Sequence, residues 1–184
     1  ERVVVTWSDP HPEASGRDLA DVAAEFQCAP LDAVDRLSPA GAIYFMMAED
    51  DVQRILSHPM AMVGSDGLPH DQHPHPRLWG TFPRVLGHYA RDLGLFSLEE
   101  GVRRMTSLTA AQFGLKDRGM LKAGAFADVV IFDPKTIAEP ATYESPASPA
   151  FGIGLVMVNG AVVHEDGKPT VAAPGRLLRR EVEP

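Results

Sequence analysis

Ala42-Ile43-Tyr44-Phe45-Met46-Met47, then Glu49-Asp50-Asp51-Val52-Gln53-Arg54-Ile55-Leu56, then Met60-Ala61-Met62-Val63-Gly64-Ser65-Asp66-Gly67 decide how this sequence reads. The first run is apolar almost without interruption, as expected of a strand buried on both faces. Three carboxylates open the second, where the helix dipole favours them, and Val52, Ile55 and Leu56 supply an apolar stripe. His58-Pro59 stops that helix, and a second apolar run follows, ending at Ser65-Asp66-Gly67. Strand, helix and strand of these lengths form a βαβ unit, whose strands are parallel and whose crossover is right-handed. The expected class is therefore α/β.

On the N-terminal side, Val3 to Trp7 is β-branched and aromatic and ends at Asp9-Pro10-His11-Pro12. Leu19, Val22, Ala23 and Phe26 recur at helical spacing after a Ser15/Asp18 capping box, and a short helix follows Pro30. On the C-terminal side, a polar loop from Leu68 to Arg77 holds three histidines. Residues 78 to 114 then read as helices without a strand, with Ser97 and Glu100 as a capping box and Gly114 as a stop. The pattern changes near Gly119. Ala127 to Asp133 is a strand closed by Pro134, and residues 135 to 150, rich in Pro, Ala and Ser, read as a surface excursion. Val158-Asn159-Gly160-Ala161 joins two apolar runs; Asn-Gly there signals a type I′ hairpin, whose two central residues need positive φ. Two portions are expected, residues 1–115 and residues 116–184.

The 184 residues carry a net charge of −8, which argues against nucleic acid as a partner. The single cysteine, Cys28, excludes an internal disulfide framework and is expected as a small buried residue in a helix. No run of about 18 apolar residues is present, so no membrane partner and a cytoplasmic setting are expected. The chain opens at Glu1 within a β pattern, and we expect it to be part of a longer protein.

Asp66 stands where the second apolar run leaves its sheet, between small residues. In parallel α/β architectures the C-terminal strand ends form the active face; the alternative is a carboxylate that turns the chain or caps a helix. Arg77 and Arg84 flank Trp79, and arginine suits bidentate carboxylate recognition as well as surface ion pairs. Tyr44 offers a hydroxyl to polarise a carbonyl, or a core ring with its hydroxyl satisfied locally. His70, His73 and His75 have a spacing that would allow two metal ligands. They lack a rigid element to hold the rings, and exposed loop histidines are expected instead.

Gly64-Ser65-Asp66-Gly67, His75-Pro76-Arg77 and Gly80-Thr81-Phe82-Pro83-Arg84-Val85-Leu86-Gly87, in this order, resemble the signature of N-acyl-D-amino-acid deacylases. Arg103-Arg104-Met105-Thr106-Ser107, Gly114-Leu115-x-x-Arg118-Gly119 and Gly124-x-x-Ala127-Asp128 continue the resemblance, which runs over almost the whole chain. It implies the C-terminal βα units of an amidohydrolase (β/α)8 TIM barrel, with zinc at its C-terminal mouth, plus part of a small β-sandwich. On this resemblance residues 1–115 belong to the barrel and 116–184 to the β-sandwich. Asp66 is implied at the metal site as ligand and as general base and acid. It would take a proton from a zinc-bound water, whose pKa falls from about 15.7 towards about 7. Arg77 is implied as the clamp for the free carboxylate of the substrate, and Tyr44 as a contact to the scissile amide.

Thr109, where proline is expected, and Trp79, where tyrosine is frequent, leave that chemistry untouched. The other metal ligands of the family find no match, since neither Cys28 nor the loop histidines take their places, and one carboxylate falls short of the three protein ligands of a hydrolytic zinc. The chain alone is therefore expected to be inactive. Its expected partners are a small-molecule N-acyl-D-amino acid and either the remaining N-terminal part of the same protein or a second copy. Cleavage of cyclic amides such as hydantoins, and a non-catalytic structural role, are the alternative readings.

Overall fold

The computed structural model describes residues 2–69 and 71–179. Strand β1 (Val3–Ser8) pairs antiparallel with β2 (Ala40–Tyr44), Val3 opposite Tyr44 and Ser8 opposite Ala40. Between them lie a 3-10 turn (Pro12–Ala14), α1 (Leu19–Glu25) and α2 (Pro30–Leu37). Asp18 caps α1, its carboxylate accepting from the Ala20 N–H at 3.0 Å. Ser15 donates instead to the Thr6 carbonyl at 2.8 Å, so the expected reciprocal box is not formed. Cys28 lies beyond α1, half-buried. Val5, Ala14, Val22 and Leu37 form the core here, with Leu19 and Phe26 packed against it. Burying Val5, Val22 and Leu37 contributes about 1.5–3 kcal/mol each.

The expected parallel βαβ unit is corrected by the structure. Helix α3 (Glu49–Leu56) forms, but residues 60–66 make no strand, and β2 takes β1 as its antiparallel neighbour. Nor is the 42–47 run buried on both faces: Ile43 is buried, while Tyr44, Met46 and Met47 are exposed. An apolar run becomes a strand only where a neighbour offers its ladder, and periodicity says nothing of which neighbour that is.

Helix α4 (Arg77–Arg84) passes Pro83 and continues as a π-helical stretch, Val85–Asp92. Helices α5 (Leu98–Met105), capped by Ser97, and α6 (Ser107–Phe113), ended by Gly114 in the left-handed conformation, follow. A four-stranded antiparallel sheet then runs β3 (Val129–Phe132), β4 (Ile153–Val158), β5 (Ala161–Glu165) and β6 (Lys168–Pro169). Asn159 and Gly160 have φ of +47° and +82°, as a type I′ turn requires. Arg118 clamps this turn, ion-paired with Asp128 and donating to Asn159 Oδ1 at 2.5 Å. The 135–150 stretch is not a plain surface excursion, because Ile137 is 2% exposed and Pro146 is buried.

Two compact units result. One joins the residues up to Val52 with Ser65–Trp79 and Ala141–Ser148; the other joins Gln53–Gly64, Gly80–Pro140 and the residues from Pro149 onward.

Candidate functional site

Asp66 adopts φ of +48°, in the left-handed region that short polar side chains tolerate better than others. Gly67 follows it because there is no room for more: an added Cβ would lie 2.8 Å from the Leu78 Cα. That close approach folds the loop onto the first turn of α4 and sets Asp66 beside Arg77, Oδ2 to Nη2 at 2.8 Å. The carboxylate is 79% exposed and the guanidinium 37%. Asp66 therefore does not end a buried strand; it presents its carboxylate from a left-handed turn.

Arg77 opens α4, and its main-chain N–H donates to His75 Nδ1 at 3.0 Å, while the Leu78 N–H donates to the His75 carbonyl. His75 thus caps the helix that carries Arg77. Burial pushes its pKa down to about 4, the Arg77 charge adding to the effect and the Asp66 charge opposing it. The neutral ring accepts at Nδ1, so its proton sits on Nε2, which lies 3.4 Å from the Tyr143 hydroxyl. His73 Nε2 donates to the Tyr143 carbonyl at 2.7 Å, and the His73 N–H donates to the Thr6 carbonyl at 3.0 Å. Gly16 makes space for the His73 ring; a Cβ there would lie 2.9 Å from Nδ1.

The expectation of exposed loop histidines is corrected for His73 and His75, which are half-buried and hold the Ala141–Ser148 segment. His70 lies outside the described residues. Tyr44, 65% exposed, ends β2; the ring of the next residue, Phe45, meets Tyr143 in a tilted arrangement with centroids 4.5 Å apart. Asp66 and Arg77 are thus brought together directly, while Tyr44 precedes Phe45, whose ring meets Tyr143, which in turn meets His75. Trp79 borders a depression of about 540 Å³ with Leu78, Pro74 and Ala147. In the other unit Arg84 pairs with Glu139 at 2.6 Å and lies over the Tyr89 ring. Tyr143 was not legible as a site residue in the sequence; the one signal was an aromatic inside a stretch of small residues.

Chemically, the pair joins a carboxylate able to exchange a proton with solvent and a guanidinium shaped for a second carboxylate. Among the described residues no group of three or more His, Cys, Asp or Glu side chains converges to hold a metal. These residues do not by themselves complete a zinc site.

A D-aminoacylase of Alcaligenes xylosoxydans xylosoxydans is 62% identical over 179 residues, covering 97% of this chain and 37% of that protein. A crystal structure of D-aminoacylase superposes with a TM-score of 0.91 at 60% identity, covering 94% of this chain and 36% of the other. An N-acyl-D-glutamate deacylase from Bordetella bronchiseptica, complexed with zinc and a phosphonate mimic of the tetrahedral intermediate, matches with a TM-score of 0.88 at 55% identity, covering 90% of this chain and 35% of that one. The chain spans a little over a third of the length of these relatives. Their fold class is the one expected here, the (β/α)8 TIM barrel, of which this chain matches a part. The amidohydrolase family model covers residues 17–164, and with that span and these relatives the chain belongs to the amidohydrolase family.

Proposed function

We propose that this chain is part of a zinc-dependent hydrolase that cleaves the amide of N-acyl-D-amino acids to a carboxylate and a free D-amino acid. The observation that carries the reading is the exposed Asp66–Arg77 pair, 2.8 Å apart, on a chain 62% identical to a D-aminoacylase. Arg77 recognises the free carboxylate of the substrate through two parallel N–H···O bonds, and that carboxylate replaces Asp66 as its partner. Asp66, so released, takes the proton of the attacking water and returns one to the leaving amine. Tyr44 contacts the scissile amide. Residues 1–115 belong to the catalytic barrel and residues 116–184 to the small β-domain.

Zinc is part of the proposal on the strength of the zinc-bound relative, with Asp66 as one ligand and the remaining ligands outside the residues of this chain. The chain alone is then inactive, and its partner is the rest of the same protein. We place the reaction in the cytoplasm; among the described residues, no helix is long and apolar enough to cross a membrane.

Two measurements test this. The full-length protein should release D-methionine from N-acetyl-D-methionine and leave hydantoins intact; preferential hydantoin cleavage would replace the reading with the cyclic-amide one. The chain by itself should bind no stoichiometric zinc and show no turnover, and zinc-dependent hydrolysis by it would refute the shared site.

A further inference from the structure

Tyr143 stands where three segments of one compact unit meet. Its carbonyl accepts from His73 Nε2 at 2.7 Å, and its hydroxyl lies 3.4 Å from His75 Nε2. Its ring meets His75 edge-on, centroids 5.2 Å apart, and Phe45 at 4.5 Å in a tilted arrangement. Phe45 directly follows Tyr44 and also meets Arg2: the guanidinium lies 4.6 Å from the ring centroid, and the Phe45 N–H donates to the Arg2 carbonyl at 3.1 Å. His75 receives the Arg77 N–H at 3.0 Å. One side chain therefore touches the residue that caps Arg77 and the residue next to Tyr44.

We infer that Tyr143 is a positioning residue for the substrate-carboxylate clamp, acting through His75 on Arg77. The inference rests on the proposed role of Arg77. His75 must keep its proton on Nε2 to accept the Arg77 N–H at Nδ1, and the Tyr143 hydroxyl is the acceptor facing that proton. At 3.4 Å the hydrogen bond is long, so the ring contacts are expected to matter more than the hydroxyl. Without the ring, His75 is free to turn, the first turn of α4 loses its cap, and the Arg77 guanidinium spreads over several positions. The segment itself stays anchored, because His73 bonds to the main chain of residue 143 rather than to its side chain.

The test uses the full-length protein and the pair N-acetyl-D-methionine and N-acetyl-D-methionine amide, which lacks the carboxylate. Tyr143→Ala should raise KM for the acid roughly tenfold with kcat within about threefold, and should leave KM for the amide nearly unchanged. Tyr143→Phe should stay within about threefold on both, since it removes only the long hydrogen bond. Arg77→Lys should reproduce the loss of acid-over-amide preference. Equal KM changes on both substrates in Tyr143→Ala, or a fall in kcat or thermal stability alone, would overturn the positioning role. An Arg77→Lys enzyme that keeps its acid preference would overturn the clamp reading, and the inference with it. Should Tyr143→Ala not accumulate as folded protein, Tyr143→Leu, which keeps most of the volume, is judged by the same ratio.

Discussion

Replacing Asp66 by Asn separates proton transfer from every other role of this position. The backbone at residue 66 has φ of +48°, and Asn tolerates that region as Asp does, whereas Ala would add about 1–2 kcal/mol of strain. The side chain is 79% exposed and its ion pair with Arg77 lies at the surface, where such a pair contributes about 0–1 kcal/mol. Asp66→Asn should therefore cost at most about 1 kcal/mol of stability. Loss of general acid–base catalysis is far larger, about 10²- to 10⁴-fold in rate, or roughly 3–5.5 kcal/mol at about 1.36 kcal/mol per tenfold. The assay is release of D-methionine from N-acetyl-D-methionine by the full-length protein, with thermal melting and metal content followed on the same sample. A turnover fall of at least a hundredfold with unchanged melting is expected. Activity within a few-fold of the parent would reduce Asp66 to a turn residue and refute the reasoning. Activity lost together with the metal would make Asp66 chiefly a ligand.

Two further outcomes concern His75 and Gly152. His75 is held neutral, with its pKa lowered from about 6.5 to about 4. The unfolded chain then binds the extra proton first, so this residue's contribution is unperturbed above about pH 6.5 and stability is lost as pH falls towards about 4. The imidazole resonances should show a neutral ring at pH 5.5, and His75→Gln should flatten the stability loss in that window; titration near 6.5 would contradict the burial argument. Gly152 has φ of +78°, and a Cβ there would lie 2.6 Å from the Ile137 nitrogen, so Gly152→Ala should cost about 2–4 kcal/mol in a denaturant melt. Gly154→Ala, whose Cβ would meet Ile131 O at an ordinary 3.7 Å, should cost much less, and equal losses would show that the close approach is not the cause.

Local chemistry explains which features can be read from the residues alone. Asn159-Gly160 specifies its hairpin because only residues tolerant of positive φ close a type I′ turn, and the turn forms as read. Ser97 and Gly114 bound their helices for similar reasons, one by accepting a main-chain N–H and the other by its left-handed φ. The ordered signature around Asp66, Arg77 and Arg84 was sufficient to recognise the family, since it joins glycines the backbone requires to residues that carry charge. Tertiary structure decided what lies across long loops. The apolar run at 40–44 has no preference written into it for β1 over a parallel neighbour, and the register with Val3–Ser8 is visible only once the strands meet. Asp66 looks like a strand end in the sequence and proves to be a left-handed turn, because residues 60–66 have no ladder partner among the described residues. Tyr143 lies 68 residues from His75, and nothing in its Pro-, Ala- and Ser-rich surroundings announces a partner. Its place beside His73 and His75 comes about only after the chain has folded, since hydrogen bonds and ring contacts at such separation depend on where the backbone returns and not on local propensity.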